Sequence, residues 1–139
     1  MSSAAVRTIA RSLVTGASWP AGLPYQETVD QYPSGGVPVP GTTTAWCALE
    51  FEGDTDDPMG IGGDSMLREE GRITFRLFGE GMSGDSAILT LADSATAAIR
   101  AFDWQSIFIR SLTAPQPIMA EDETWTVFDI VAEYQRDHA

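Results

Sequence analysis

Between positions 72 and 78 apolar and polar residues alternate, with Ile73, Phe75 and Leu77 set between Arg72, Thr74 and Arg76. A period of two is that of a strand with one buried face. Gly79, Gly81, Ser83 and Gly84 interrupt it. From Asp85 onward the apolar positions are Ile88, Leu91, Ala92, Ala95, Ile99 and Phe102, spaced by three and four. That spacing predicts a helix with one apolar face, capped by Ser83, Asp85 or Ser86. Ala92 and Ala95 in the middle of its stripe let a helix lie close on a sheet. The chain is read outward from this strand, turn and helix.

Residues 3–15 carry Val6, Ile9, Ala10, Leu13 and Val14 on one helical face, with Ser2 or Ser3 as the cap and Gly16 as the stop. The stretch 19–43 holds Pro20, Pro24, Pro33, Pro38 and Pro40, a density that helices and central strands do not tolerate. It reads as a proline-rich arm anchored by Tyr25, Val29 and Tyr32, either peripheral in a monomer or reaching a neighbour in an assembly. In 44–51, Ala45, Cys47, Leu49 and Phe51 share one strand face, and Trp46, Ala48 and Glu50 the other. A long acidic, glycine-rich loop is expected over 52–70, making an oversized hairpin with the strand that begins at Arg72. Ile107 and Ile109 alternate with Phe108 and Arg110 in a further strand, which Pro115 and Pro117 end; Glu121, Asp122 and Glu123 mark a solvated turn. The last strand, 124–134, sets Phe128, Ile130, Ala132 and Tyr134 against a face of Trp125, Val127 and Val131 with Asp129 and Glu133. The polar tail 135–139 is expected to fray.

These elements predict a single α+β domain over 1–139, an about four-stranded, mainly antiparallel sheet with two helices on one face. Several strands are apolar on both faces, and two helices cover only one. The second face is therefore expected to meet an arm, a loop or, by preference, another subunit.

Composition narrows the classes. With 139 residues and 43% apolar content the chain has enough material for one real core. No apolar run nears the roughly 20 residues that cross a bilayer, and no signal-peptide pattern follows Arg7 and Arg11. Net charge is −12, and every basic residue is arginine. A surface of that sign does not neutralise phosphates, so autonomous nucleic-acid binding is not expected. The absence of lysine removes Schiff-base chemistry and the P-loop cation. Cys47 is the sole cysteine, which removes intrachain disulfides and cysteine-rich zinc sites and suggests a reducing cytoplasm.

Few residues remain for catalysis. His138, the sole histidine, stands next to the last residue, where a rigid general base is not expected. Cys47, mid-strand on an apolar face, reads as a buried structural thiol. Asp54, Asp56, Asp57 and Asp64 are the best metal candidates, because oxygen-rich loops suit calcium. Pro58 occupies a ligand position, however, and no glutamate closes a twelve-residue loop, so a solvated acidic loop is the preferred reading. No catalytic residue, cofactor or metal is assigned, and the chain is not read as an enzyme.

Four stretches carry a resemblance. They are Trp46-Cys-Ala-Leu-Glu-Phe51, Glu70-Gly-Arg-Ile-Thr-Phe-Arg-Leu-Phe-Gly-Glu-Gly81, Ala87-Ile-Leu-Thr-Leu-Ala-Asp93 leading to Phe102, and Trp125-Thr-Val-Phe-Asp-Ile-Val-Ala-Glu-Tyr134. In this order the chain resembles the small tail terminator (tail completion) proteins of long-tailed bacteriophages and phage-like particles. The proline-rich stretch 23–40 departs from that family's short first strand. The resemblance implies a structural virion protein assembled in the host cytoplasm: a ring, hexameric in the family, that caps the tail tube and stops its polymerisation. Its partners would be further copies of itself, the tail tube protein and a neck or head-completion protein. DNA would pass through the channel without specific binding; no membrane and no cofactor are implied. Candidate subunit or tube contacts are Met59, Ile61, Met66 and Leu67 in the acidic loop, and Trp125 and Val127 on the last strand. The alternatives are a neck or head-closure connector, a small ion- or ligand-binding α+β module, and a carboxylate-only enzyme.

Overall fold

Ser3 opens the first helix: its hydroxyl accepts the Val6 N–H at 3.4 Å, satisfying one of the N–H groups that a helix start leaves free. In the computed structural model, which describes residues 3–20, 23, 25–27, 45–58, 66–80, 86–118 and 125–138, helix α1 runs Ala4–Val14. Val6, Ala10, Leu13 and Val14 are buried, as the stripe requires, and Ile9 packs at the core margin. The chain then turns back on the core. Trp19 donates its indole N–H to the Leu23 carbonyl at 2.8 Å, and its ring lies 5.8 Å from that of Phe75. The first residues of the expected arm are thus core, because a buried tryptophan needs a partner for its N–H and Leu23 supplies one. Strand β1 (Tyr25–Glu27) follows, parallel to β2; positions 28–43 of the arm, with Val29 and Tyr32, lie outside the described residues.

Three strands of 14 residues each form the body of the sheet, β2 (Ala45–Pro58), β3 (Leu67–Glu80) and β6 (Trp125–His138), which has six strands among the described residues against the about four expected. The order is β1-β2-β3-β6-β4, with β4 (Ile107–Leu112) and β5 (Gln116–Ile118) both against β6; all pairs except β1–β2 are antiparallel. Helix α2 (Ser86–Ala101) buries Ile88, Ala92, Ala95, Ala98 and Ile99, and Leu91 and Phe102 are partly buried beside them. Ser83 and Asp85 lie outside the described residues, and Ser86 is the first helical residue. The chain leaves α2 through Trp104, which donates to the Ile99 carbonyl at 2.9 Å, and Gln105, whose φ of 56° is held by an N–H donated to the Asp103 carboxylate. Both helices join the same core, with Ala45, Cys47, Leu49, Ile73, Phe75, Leu77, Phe128, Ile130, Ala132 and Tyr134 facing them from the sheet.

Two boundaries differ from expectation. The loop expected over 52–70 is mostly strand: β2 continues to Pro58 and β3 begins at Leu67. A register shift between Gly53 and Thr55 absorbs one residue, and the ladder resumes with Thr55 opposite Glu70 and Asp57 opposite Arg68. Similarly, 135–138 does not fray but continues β6, with Gln135 to His138 paired to Glu70 to Leu67. The reason is common to both. Here opposite charges on neighbouring strands hold the sheet, so alternation of apolar residues gives no sign of it.

Gly71 lies between Gly53 of β2 and Tyr134 of β6. A Cβ there would stand 2.3 Å from the Glu52 carbonyl oxygen and 2.8 Å from the Tyr134 hydroxyl. Only glycine lets Tyr134 cross this strand.

Candidate interaction surfaces

The second face of the sheet divides in two. At one end Trp46 and Phe78 stack with ring centroids 4.4 Å apart, and Ala48 and Val127 lie beside them in the register; all four are buried within the single chain. Of the covers expected for this face, an arm, a loop or by preference another subunit, this end takes its cover from within the chain, and Val127 is not exposed. Trp125, opposite Glu80, belongs to the paired backbone at that end; its side chain lies outside the described set, as do Met59, Ile61 and the acids Asp64, Glu121, Asp122 and Glu123. Leu67 is half-buried, and Met66, just before β3, is exposed. The structure therefore brings Met66 and Leu67 together and separates them from Val127 by the length of the sheet.

The remainder of that face is a charge ladder centred on β3. Arg76 donates to Asp129 at 2.9 and 3.1 Å and to Glu50 at 3.1 Å. Arg72 meets Glu52 at 2.9 Å, Arg68 grips Asp137 through two bonds of 2.8 and 3.0 Å, and Arg110 approaches Glu70 at 3.7 Å. Arginine suits these positions because its planar fork matches a carboxylate with two parallel donors. Burial pushes the Glu50 carboxyl above its ordinary value; Arg76 pulls against that rise, while Asp129 and Glu52 add to it. The bonds from Arg68 hold Asp137 below the usual carboxylate range.

On the helix face, beyond the apolar core, Glu69 is buried and fully engaged. It accepts the Ser3 N–H at 3.0 Å and the Tyr134 hydroxyl at 2.8 Å, with Arg136 at 3.9 Å. Burial alone would raise its pKa, but these donors together bring it below the ordinary value. Glu69 thereby fastens the start of α1 to the far end of the sheet. His138 meets Asp56 at 2.9 Å across the same end. The sole histidine is thus held in the ladder, contrary to expectation, and its partner is one of the carboxylates considered for calcium.

The metal candidates do not converge. Asp56 and Asp57 are successive residues of β2 and point to opposite faces, while the side chain of Asp54 and all of Asp64 lie outside the described set. Among the described residues, no group of three His, Cys, Asp or Glu is arranged to hold a metal ion. Cys47 is fully buried, and burial pushes its thiol far up, so it is a structural side chain. Among the described residues, no helix is long and apolar enough to cross a membrane.

One exposed residue was missed by sequence reasoning. Phe108, on β4 opposite Gln135, is 62% exposed, and Met66 is 44% exposed. The signal was present in the alternation, since Phe108 shares the polar side of its strand with Arg110. Comparison with protein-family models finds none that matches this chain, and no curated protein matches it either.

Proposed function

We propose that this chain is a structural assembly protein of the tail terminator type, forming a ring on the end of a tail tube, ending its growth and offering a surface to the neck. One observation carries the reading. The four stretches that bear the resemblance, remote in sequence, fold as β2, β3, α2 and β6, with β2, β3 and β6 adjacent and α2 in their shared core. The stretches that bear the resemblance thus form one contiguous unit of this chain, which supports the reading. Glu50 and Asp129 are engaged by Arg76, and Asp137 by Arg68, which supports a structural role for these carboxylates.

Tube polymerisation provides the test. Added to tail tube protein before assembly begins, this protein should give shorter tubes in proportion to its amount, because each capped end stops growing. Tube lengths independent of its concentration would refute the proposal, and binding to an isolated neck complex without binding to tubes would favour a head-closure connector.

A further inference from the structure

We propose that the ends of β2 and β3 beyond the pair Gly53–Gly71 form a hinged flap, Thr55–Pro58 with Leu67–Glu70, which swings off β6 as one unit while the core stays folded. Such a flap is independent of the tube-capping reading. The burial pattern marks its boundary. Toward the core β3 buries Ile73, Phe75 and Leu77. On the flap Glu69 is the one buried side chain among the described residues, and Leu67 is only half-buried. A segment that buries little apolar surface opens at lower free energy than the core beside it.

The pivot is made of residues without side chains. Gly53 and Gly71 face each other across the two strands, and the register shift between Gly53 and Thr55 follows at once. A ribbon bends most readily at such a place. β6 does not follow the flap, because Ile107 of β4, opposite Arg136, is buried and holds that strand to the core. What closes the flap is therefore polar. Arg68–Asp137, His138–Asp56 and Arg110–Glu70 cross from it to β6 and β4, and at least one partner in each pair is more than one-third exposed. Exposed pairs of this kind contribute little and are screened by salt. Glu69 is the exception. Ser3 at the start of α1 and Tyr134 of β6 both donate to its Oε2, at 3.0 and 2.8 Å, and Tyr134 crosses over Gly71 to reach it. One buried carboxylate thus clamps the flap to two other elements from across the pivot.

Native-state hydrogen exchange on the full chain tests this. The amides that the β3–β6 ladder protects over Leu67–Glu70 and Gln135–His138 should exchange through one shared opening, faster than those over Ile73–Leu77. Glu69→Gln should speed that exchange about tenfold, as loss of a charged acceptor does. Salt raised to about 1 M should speed it in the unaltered chain, where no substitution can impair folding. Ile130→Val should speed exchange over Ile73–Leu77 and leave the flap unchanged, because the core is intact when the flap swings. Flap amides that exchange no faster than the core, that ignore Glu69→Gln or salt, or that Ile130→Val accelerates as much as the core would each overturn the proposal.

Discussion

Arg76→Met removes the guanidinium that Glu50 and Asp129 share in the middle of the sheet. Its side chain is 22% exposed, those of Asp129 and Glu50 are 16% and 35% exposed, and its three bonds span 2.9 to 3.1 Å. Breaking a fully buried pair costs about 3–5 kcal/mol, and an exposed pair contributes roughly 0–1 kcal/mol. This site lies between those limits, and water screens part of it, so we expect a loss of about 2 kcal/mol at neutral pH. The contrast is Arg72→Met, whose pair with Glu52 is the more exposed of the two and should contribute no more than about 0.5 kcal/mol. The loss at Arg76 should also depend on pH with a definite sign. Glu50 already lies above its ordinary value through burial, and Arg76 is the influence that lowers it. Without Arg76 it moves further up. A carboxyl raised in the folded state destabilises the fold at neutral pH, and the penalty shrinks as pH falls through the raised value. Urea unfolding followed by tryptophan fluorescence at neutral pH and in mild acid measures this. The deficit should be smaller in acid, and Asp129→Asn with Glu50→Gln in the same chain should recover most of it. A deficit that grows in acid, or a neutral-pH loss under about 0.5 kcal/mol, would refute the reasoning.

Three other outcomes follow from the same packing. Glu69→Gln should cost about 1–2 kcal/mol at neutral pH; because Glu69 is held below its ordinary value, its contribution is present above that value and lost as pH falls through the folded one. The gap between wild type and variant should accordingly close in acid, and a constant gap would contradict the assignment. Gly71→Ala should lose about 3 kcal/mol or more, since the new methyl meets the Glu52 carbonyl, and Tyr134→Phe in the same chain should not restore it; thermal unfolding decides. Ile88→Asp should abolish folding, because the carboxylate would be buried without a partner, and a soluble variant that unfolds cooperatively would show that the stripe of α2 is misread.

What could be read from the residues was whatever buries an apolar face by local rule. The alternation of Ile73, Phe75 and Leu77 and the stripe from Ile88 to Ile99 located β3 and α2, and their burial follows that reading. A serine cap at Ser2 or Ser3 was legible from the local pattern, and Ser3 is the one that caps. The continuation of β2 past Phe51 and of β6 past Tyr134 was not legible. Those residues are polar on both faces, and what makes them strands is Arg68 meeting Asp137, Arg72 meeting Glu52 and His138 meeting Asp56 from distant points of the chain. Such pairs acquire meaning only once a register exists. Of the surface residues singled out, Met66 is exposed, Leu67 is half-buried and Val127 is buried beside the stacked Trp46 and Phe78. A valine on a strand's second face carries no local mark that distinguishes those fates. Phe108 did carry one, as an aromatic residue on the polar side of its strand.

Electron microscopy of finished tail tubes mixed with this protein tests the central proposal most directly. The account predicts a ring of density at one end of each tube and no further elongation when fresh tube protein is supplied. Tubes with two bare ends that continue to grow would contradict it.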